Sequence, residues 1–187
     1  MNKLEKGIIG IDLGATMTSA GIVHGDSIMK YIDKKTPAGD TKENVLDHLY
    51  KIIESFDLKN VEAIGIGVPS VVDIENGIVF DVQYIPSWKE IKLKSIIEEK
   101  YNLPVYVNND ANCFAAGEKH FGVGQNAEFL VGLVIGTGLG CDFNFSTFSN
   151  ISVILKRQSS SCLCKPCLLG CGNPVSYTHL TLPTNRE

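Results

Sequence analysis

The amino-acid sequence predicts an α/β fold in which helices pack on a mixed β-sheet. Apolar runs of strand length alternate along the chain with segments whose apolar residues recur at helical spacing. The first three strands follow one another directly, whereas helices separate the later ones, and this order is typical of a mixed sheet. With 44% hydrophobic and 20% charged residues among 187, the chain can bury a core.

The predicted strands are apolar runs bounded by turn residues. The first contains Ile8, Ile9 and Ile11, and the runs TSAGIV and SIMKYID follow it, with a turn at residues 24–26 between them. These three strands should form a meander. The later strands are VEAIGIGVP, LPVYVNN and EFLVGLVIGTGLG. The first of these is almost continuously apolar, as expected of an inner strand.

Three helices are predicted among the later strands. A capping box formed by Asp40 and Glu43 would start the first helix, and the third, DANCFAAGEKHF, begins at Asp110. The apolar positions are Val45, Leu46, Leu49, Ile52, Ile53 and Phe56 in the first helix and Leu93, Ile96 and Ile97 in the second. A hairpin with Asn76 and Gly77 in its turn is expected at the rim of the domain.

The turn after the first strand is a candidate phosphate site. Asp12 is the only charge inside that strand, and an isolated carboxylate there is costly unless it has a metal or hydrogen-bond partner. Gly14 lets the backbone approach a ligand, Thr16 and Thr18 supply hydroxyls, and backbone N–H groups in such a turn can hold an anion. An ordinary β-hairpin whose Asp starts the turn is the alternative, and this stretch alone leaves both interpretations open.

A second candidate site lies at Asn108, Asn109 and Asp110, where a strand ends and a helix begins. Ligands collect at the carboxyl ends of strands in open α/β sheets. A helix N-terminus favours negative charge by about 0.3–1 kcal/mol, which suits Asp110 to act as a general base. Asp is also a common N-cap residue, so a purely structural role is the alternative. The adjacent amide side chains favour a polar ligand.

A second glycine turn, Gly136-Thr137-Gly138-Leu139-Gly140, follows another apolar strand. It repeats the pattern of the first turn, with a hydroxyl and backbone N–H groups that could meet phosphate. A lone pattern of this kind is often just a turn. Two such turns flanking an Asp at a strand end form a rarer set.

Four ordered segments together resemble the N-terminal part of the ROK family of bacterial sugar kinases and related transcriptional repressors. They are GIDLGATMTSAGIVHG, AIGIGVPSVVDIENGIV, VYVNNDANCFAAGE and VGLVIGTGLG, which are similar to the family's first phosphate motif, sugar-loop region, catalytic segment and second phosphate motif. The resemblance covers residues 6–140. It implies a ribonuclease-H-like lobe of the actin and hexokinase ATPase type, truncated after the first strand of the second lobe.

The resemblance also implies roles for individual residues, with ATP and Mg²⁺ as cofactors. Asp110 would remove the proton from a sugar hydroxyl that attacks the γ-phosphate, and Asn109 with Asp110 would bind other hydroxyls. Asp12 would help to organise Mg²⁺. The phosphates would be lined by Gly14, Thr16, Gly136, Thr137, Gly138 and Gly140. Two further positions near the sugar, Ser70 and Tyr84, depart from the family's usual Gly and Asn, which leaves the identity of the sugar open.

The resemblance also suggests how the chain is divided. Residues 1–121 would form the N-terminal lobe and residues 122–140 the start of the second, whereas residues 141–187 do not follow the family. Five of the six cysteines lie in this last segment, and its end, VSYTHLTLPTNRE, resembles adaptor DNA read as protein. A frameshifted or artefactual, poorly ordered tail is therefore expected. The spacing of Cys162, Cys164, Cys167 and Cys171 differs from the family's, so no zinc site is predicted.

Composition and charge limit the kinds of partner that the chain is expected to bind. A net charge of −4 without a basic stripe argues against nucleic acid, and the short first apolar run contains an Asp, which argues against a signal peptide or a membrane span. A cytoplasmic protein that binds a sugar and ATP is expected. The family often forms homo-oligomers.

The leading functional hypothesis is an ATP-dependent sugar kinase of the glucokinase type. Because a lone lobe cannot close on its substrates, little or no turnover is expected from this chain. One alternative is a sugar-responsive regulator of the same family without its DNA-binding part, since the first phosphate strand begins near Gly7 and leaves no room for a helix-turn-helix. The other is a non-functional fragment.

Overall fold

We analysed a computed structural model of the protein, which describes residues 6–25, 27–82, 84–122, 124–126, 129–135, 139–145, 151–157 and 177–182. The chain divides into two compact units, residues 1–109 and residues 110–187. Each unit has its own sheet or sheets, so the two are described separately.

A five-stranded mixed sheet forms the centre of the first unit. Its strands are β1 (Gly7–Leu13), β2 (Met17–His24), β3 (Ser27–Lys35), β4 (Val61–Val68) and β8 (Val105–Asn109), in the order β3-β2-β1-β4-β8. The first three strands are antiparallel, which confirms the predicted meander, and β1, β4 and β8 run parallel. The predicted inner strand, β4, pairs on both edges and is therefore confirmed.

A small antiparallel sheet comprises β5 (Val71–Asp73), β6 (Ile78–Phe80) and β7 (Glu90–Ile91). The predicted hairpin joins β5 to β6, and Gly77 has a φ of +61°, a conformation that glycine adopts without steric cost. The Asp73 carboxylate accepts hydrogen bonds from the backbone and side-chain nitrogens of Asn76 at 3.1 and 2.8 Å, which closes the turn. β7 was not predicted, because two residues carry no periodicity.

Two helices and a 3₁₀ turn, Leu58–Asn60, complete the first unit. They are α1 (Lys42–Ile53) and α2 (Leu93–Tyr101), both of them predicted. The predicted capping box is wrong: Thr41 is the N-cap of α1, and its side chain accepts a hydrogen bond from the Asn44 N–H at 3.3 Å. Asp40 instead closes a turn by donating its N–H to the carbonyl of Pro37 at 3.1 Å.

The two sides of the five-stranded sheet differ in composition. We call one side the helix face, because its residues on β1, β4 and β8 belong to one buried cluster with α1 and α2; they are Ile9, Ile11, Leu13, Ile64, Ile66, Val68, Val105 and Val107. Successive side chains of a strand point to opposite sides. The other side, the glycine face, therefore carries the alternate residues Ile8, Gly10, Asp12, Ala63, Gly65, Gly67, Tyr106 and Asn108.

The second unit begins with α3 (Asp110–His120), whose predicted start is confirmed. Its sheet has the order β10-β9-β11-β12, with β9 at Phe129–Ile135, β10 at Leu139–Phe145, β11 at Ile151–Arg157 and β12 at Tyr177–Leu182. A Cβ added to Gly132 would lie 2.9 Å from the Cβ of Ala115, so α3 packs closely on β9 where both residues are small. The predicted lobe boundary at residue 121 and the artefactual origin of residues 141–187 stay predictions. Within the described part of the chain, no helix has the length and apolar character needed to cross a membrane.

Candidate functional site

The candidate site of the first unit lies at the carboxyl edge of its parallel strands. Asp12 of β1 is paired with Gly67 of β4, and Gly67 is paired with Asn108 of β8. These three residues therefore form one row across the glycine face, with strands about 4.8 Å apart. Because only a glycine stands between them, a ligand at this edge can reach the Asp12 carboxylate and the Asn108 amide together. Carboxyl ends of parallel strands are where α/β sheets bind ligands.

The β1–β2 turn follows directly after Asp12. Gly14 donates its N–H to the Met17 carbonyl at 3.0 Å, and a Cβ at position 14 would lie only 2.7 Å from that same oxygen. Glycine is thus required here by close approach of the backbone. The turn does join a hairpin, as the simpler interpretation required. Asp12, however, lies within the strand ladder, paired with Ser19, and does not start the turn.

Thr36 ties this turn to the end of β3. Its hydroxyl donates to the Gly14 carbonyl at 2.8 Å, and its backbone N–H donates to the Thr16 carbonyl at 2.9 Å. Thr36 itself is buried. Two carbonyls of the turn, those of Gly14 and Thr16, are therefore held from the same residue, while the Thr16 side chain is exposed.

The Thr18 hydroxyl lies below the turn and is fully buried. It is 2.9 Å from the Thr36 hydroxyl and 3.0 Å from Nε2 of His48 on α1. Burial lowers the pKa of His48, and the nearby Lys34 and Lys51 ammonium groups lower it further, while Asp47 opposes them. The sequence suggested that Thr18 supplies a hydroxyl to the turn, and the structure places that hydroxyl in an internal hydrogen-bond chain.

Ser70 and Asn109 are brought together at the ends of β4 and β8. The Asn109 side-chain nitrogen donates to the Ser70 carbonyl at 3.0 Å. The Ser70 hydroxyl donates to the Phe80 carbonyl on β6, so this residue links the loop after β4 to both neighbouring elements. Tyr84 lies in the loop between β6 and β7 and is half-buried. Its place beside the sugar stays a prediction.

Asp110 is the first residue of α3, in the second unit. Its carboxylate accepts a hydrogen bond from the Ala111 N–H at 2.9 Å, and it lies in the first turn of the helix, where negative charge is favoured. This contact fits the structural interpretation of an Asp at a helix start. The helix N-terminus favours the negatively charged carboxylate, which is the form that can accept a proton.

The second phosphate turn is only partly described. Gly136, Thr137 and Gly138 lie outside the described residues, and Gly140 belongs to β10, where it is paired with Val134 of β9. The cysteine cluster at residues 162–171 also lies outside them. Among the residues that the structure describes, no group of three or more His, Cys, Asp or Glu side chains could hold a metal ion.

Sequence reasoning missed two members of this site, Gly67 and Thr36, and did not connect Asn108 with Asp12. Gly67 was not singled out, although alternate glycines in the strand run IGIGV signal a close approach on one face. Asn108 was noted only with its neighbour, and its register with Asp12 depends on the sheet order. Thr36 lies 22 residues from Gly14, and no local pattern connects the two.

Comparison with known proteins identifies the family. The ROK family model matches residues 8–147. The chain belongs to the ROK family. A glucokinase from Thermotoga maritima is 37% identical over 142 residues, which cover 75% of this chain and 44% of that protein. A xylose repressor from Caldicellulosiruptor bescii is 37% identical over 149 residues, covering 75% of this chain and 37% of the repressor.

A solved structure extends the same likeness to the fold. The ROK family glucokinase of Streptomyces griseus, determined in complex with glucose and AMPPNP, superposes with a TM-score of 0.67 at 34% identity. The match covers 75% of this chain and 45% of that one. The predicted actin- and hexokinase-like ATPase fold of this ROK chain is thereby confirmed. The chain spans less than half the length of these relatives.

Proposed function

We propose that this ROK chain carries part of the nucleotide and sugar site of an ATP-dependent sugar kinase. The observation that carries the proposal is the row Asp12–Gly67–Asn108 beside the glycine turn, at the carboxyl edge of three parallel strands. The likeness to glucokinases, one of them bound to glucose and an ATP analogue, supports the same assignment. Both ligands would then meet this edge of the sheet.

The proposed roles follow the position of each residue. Asp12 lies two residues before Gly14 of the β1–β2 turn and would hold Mg²⁺ through one carboxylate, with phosphate oxygens and water completing the shell, as magnesium sites commonly do. Gly14 and Thr16 would line the phosphates of ATP. The remaining phosphate contacts would come from Gly136, Thr137, Gly138 and Gly140. Such contacts act by positioning and charge neutralisation, which dominate phosphoryl transfer.

The sugar would be bound by the residues at the ends of β4 and β8. Asn109 and Asp110 would bind its hydroxyls, with Ser70 and Tyr84 nearby, and Asp110 would accept the proton of the attacking hydroxyl. General-base help of this kind contributes about 10²–10⁴-fold to a rate. Because Ser70 already donates its hydroxyl to Phe80, we propose that it shapes the sugar loop and offers the sugar only its acceptor lone pairs.

Nucleotide binding is tested with Asp12→Asn and a matched control, Asp33→Asn. Asp33 lies in the same row of the sheet, because it is paired with Ser19 and Ser19 with Asp12, but it is on β3, two strands away from β1. Isothermal titration of Mg·ATP should give weaker binding for Asp12→Asn only. Equal losses in both variants, or no binding by the unaltered chain, would contradict the kinase proposal.

Turnover is a separate question, because the chain spans less than half of its kinase relatives. We expect little or no ADP release in a coupled assay with glucose, N-acetylglucosamine or mannose. Asp110→Asn is the control for any rate that is seen, since it should abolish genuine sugar-dependent turnover. Robust turnover would reject the expected inactivity while supporting the kinase chemistry.

A regulator of the same family is the second candidate, and the 37% identity with a xylose repressor favours it. A sugar-responsive regulator would bind its sugar without needing ATP. Titrations of glucose and xylose with and without Mg·ATP separate the two functions. Sugar binding that is indifferent to Asp12→Asn and to ATP would favour the regulator.

A further inference from the structure

The β1–β2 turn contains a glycine, and contacts from outside the hairpin add to its own closing bond in selecting the orientation of its peptide groups. Glycine leaves the backbone more rotational freedom than any other residue. Thr36 supplies two contacts from outside the hairpin, one hydroxyl bond to the Gly14 carbonyl and one backbone bond to the Thr16 carbonyl. These bonds fix two peptide planes of the turn, Gly14–Ala15 and Thr16–Met17, with their carbonyls towards Thr36.

Fixing the carbonyls also fixes the N–H groups. A trans peptide is planar, and its C=O and N–H point in opposite directions. The carbonyl of Gly14 shares a peptide group with the Ala15 N–H, and the carbonyl of Thr16 shares one with the Met17 N–H. Both N–H groups are therefore aimed away from Thr36. The Met17 N–H faces β1, as the Met17 carbonyl that bonds Gly14 does, so the Ala15 N–H is the one that we assign to an anion.

The hydrogen bond that Thr36 donates to Gly14 sets the donor and acceptor roles in the bonds that link Thr36 to Thr18 and Thr18 to His48. A carbonyl can only accept, so the Thr36 hydroxyl proton is used there. At 2.9 Å from Thr18, the Thr36 oxygen must then accept the Thr18 proton. Thr18 in turn accepts from Nε2 of His48 at 3.0 Å, which requires a proton on that nitrogen. A single ordered chain thus runs from α1 to the turn.

We propose that Thr36, oriented by Thr18 and His48, is a positioning residue that aims the Ala15 N–H of the β1–β2 turn at a nucleotide phosphate. This proposal rests on the proposed function, because it assigns a means of phosphate binding to that same site. His48 acts through two hydroxyls and touches no ligand. The internal chain explains why two buried threonines and a half-buried histidine lie side by side between β2, the end of β3 and α1.

The test compares pairs of variants that keep or remove one hydrogen bond. Thr36→Val preserves the shape of the side chain but has no hydroxyl, whereas Thr36→Ser keeps the hydroxyl. His48→Gln places an amide N–H near the position of Nε2–H, whereas His48→Leu has no donor. The dissociation constants of Mg·ATP and of adenosine are measured for the full chain, together with the midpoint of thermal unfolding.

The loss of affinity is expected only for the ligand that carries phosphates. Thr36→Val and His48→Leu should weaken Mg·ATP about tenfold, the effect of losing roughly one buried hydrogen bond, while Thr36→Ser and His48→Gln stay within about twofold. Adenosine has no phosphate, so its affinity should not change in any variant. A general loss of structure would weaken both ligands in parallel.

Three results would overturn the proposal. If the unaltered chain binds Mg·ATP and Thr36→Val binds it equally well, the positioning role is wrong and the proposed function survives. If Thr36→Val loses affinity for Mg·ATP and for adenosine to the same extent, Thr36 has a structural role only. If the unaltered chain binds no nucleotide, both proposals fall. Nitrogen-15 shifts of the His48 ring provide an independent check, because a neutral ring protonated at Nδ1 would reverse the deduced chain.

Discussion

The helix face and the glycine face are built by alternate residues of the same three strands, yet they differ in side-chain composition and in the exposure of their large side chains. On the helix face, Ile9, Ile64 and Val105 are buried in one apolar cluster. On the glycine face, Tyr106 is 67% exposed and Ile8 is 43% exposed. One strand segment thus provides stability on one side and a candidate site on the other. The side-chain period of two makes this division possible.

The glycine face has an internal order of its own. One row across the sheet reads Tyr106, Gly65, Gly10, Gly21 and Tyr31, and the next reads Asn108, Gly67, Asp12, Ser19 and Asp33. The first row is small in the centre and aromatic at both ends. The second is polar and closest to the phosphate turn. The polar side chains of this face are therefore concentrated in the row nearest the carboxyl edge of β1, β4 and β8.

The largest difference in stability should come from truncating one side chain on each face to alanine. Ile64→Ala should lower the free energy of unfolding by about 2–5 kcal/mol, because it removes buried methyl groups and leaves a cavity. Ile8→Ala on the neighbouring strand should cost about 1 kcal/mol or less, because Ile8 is partly in water. Urea unfolding followed by circular dichroism measures both. Similar losses for the two variants would erase the proposed contrast between the faces.

Much of this contrast was visible in the sequence. The apolar runs predicted every long strand of the first unit, and helical spacing predicted α1 and α2, since both signals come from burial against a core. The start of α1 was misplaced by one residue. Asp40 and Thr41 are both good cap residues, and only the turn closed by Asp40 shows which of them is free to cap the helix.

The candidate site was predicted less completely, for a physical reason. Asp12 and Gly14 were found because they interrupt an apolar strand locally. The row that joins Asp12 to Asn108 is created by the sheet order β1-β4-β8, which spans nearly a hundred residues of sequence. Thr36 and His48 are likewise joined to the turn only by tertiary packing. Local patterns cannot report contacts of this kind.

A smaller effect on stability is expected from replacing two glycines of the first unit, one in the β1–β2 turn and one in β4. Gly14→Ala should destabilise the chain by about 1–3 kcal/mol, since its Cβ would lie 2.7 Å from the Met17 carbonyl. Gly65→Ala should change stability by about 1 kcal/mol or less in either direction, because, apart from its chain neighbours, no atom of the described residues lies within 4 Å of the added Cβ. The midpoints of thermal unfolding of the two variants, compared with that of the unaltered chain, measure both changes in stability. A larger loss at Gly65 would show that the middle of the glycine face is more crowded than its edge.

The smallest effect should be the pH dependence that His48 adds to the helix face. Its pKa is lowered in the folded chain, chiefly by burial and then by Lys34 and Lys51, so near pH 6.5 and just below it the unfolded chain binds more protons than the folded one. Stability is therefore complete above about pH 6.5 and falls as the pH drops from there towards the lowered folded pKa.

His48→Gln isolates that contribution, because glutamine keeps a donor for Thr18 and does not titrate in this range. The free energies of unfolding of both proteins, measured from pH 5 to pH 8, should run parallel above pH 7 and converge or cross below pH 6.5. Curves that stay parallel throughout would mean that His48 takes up a proton equally well in the folded chain. In that case burial would not lower its pKa, and the ring would carry a positive charge beside Lys34 and Lys51 when the pH falls.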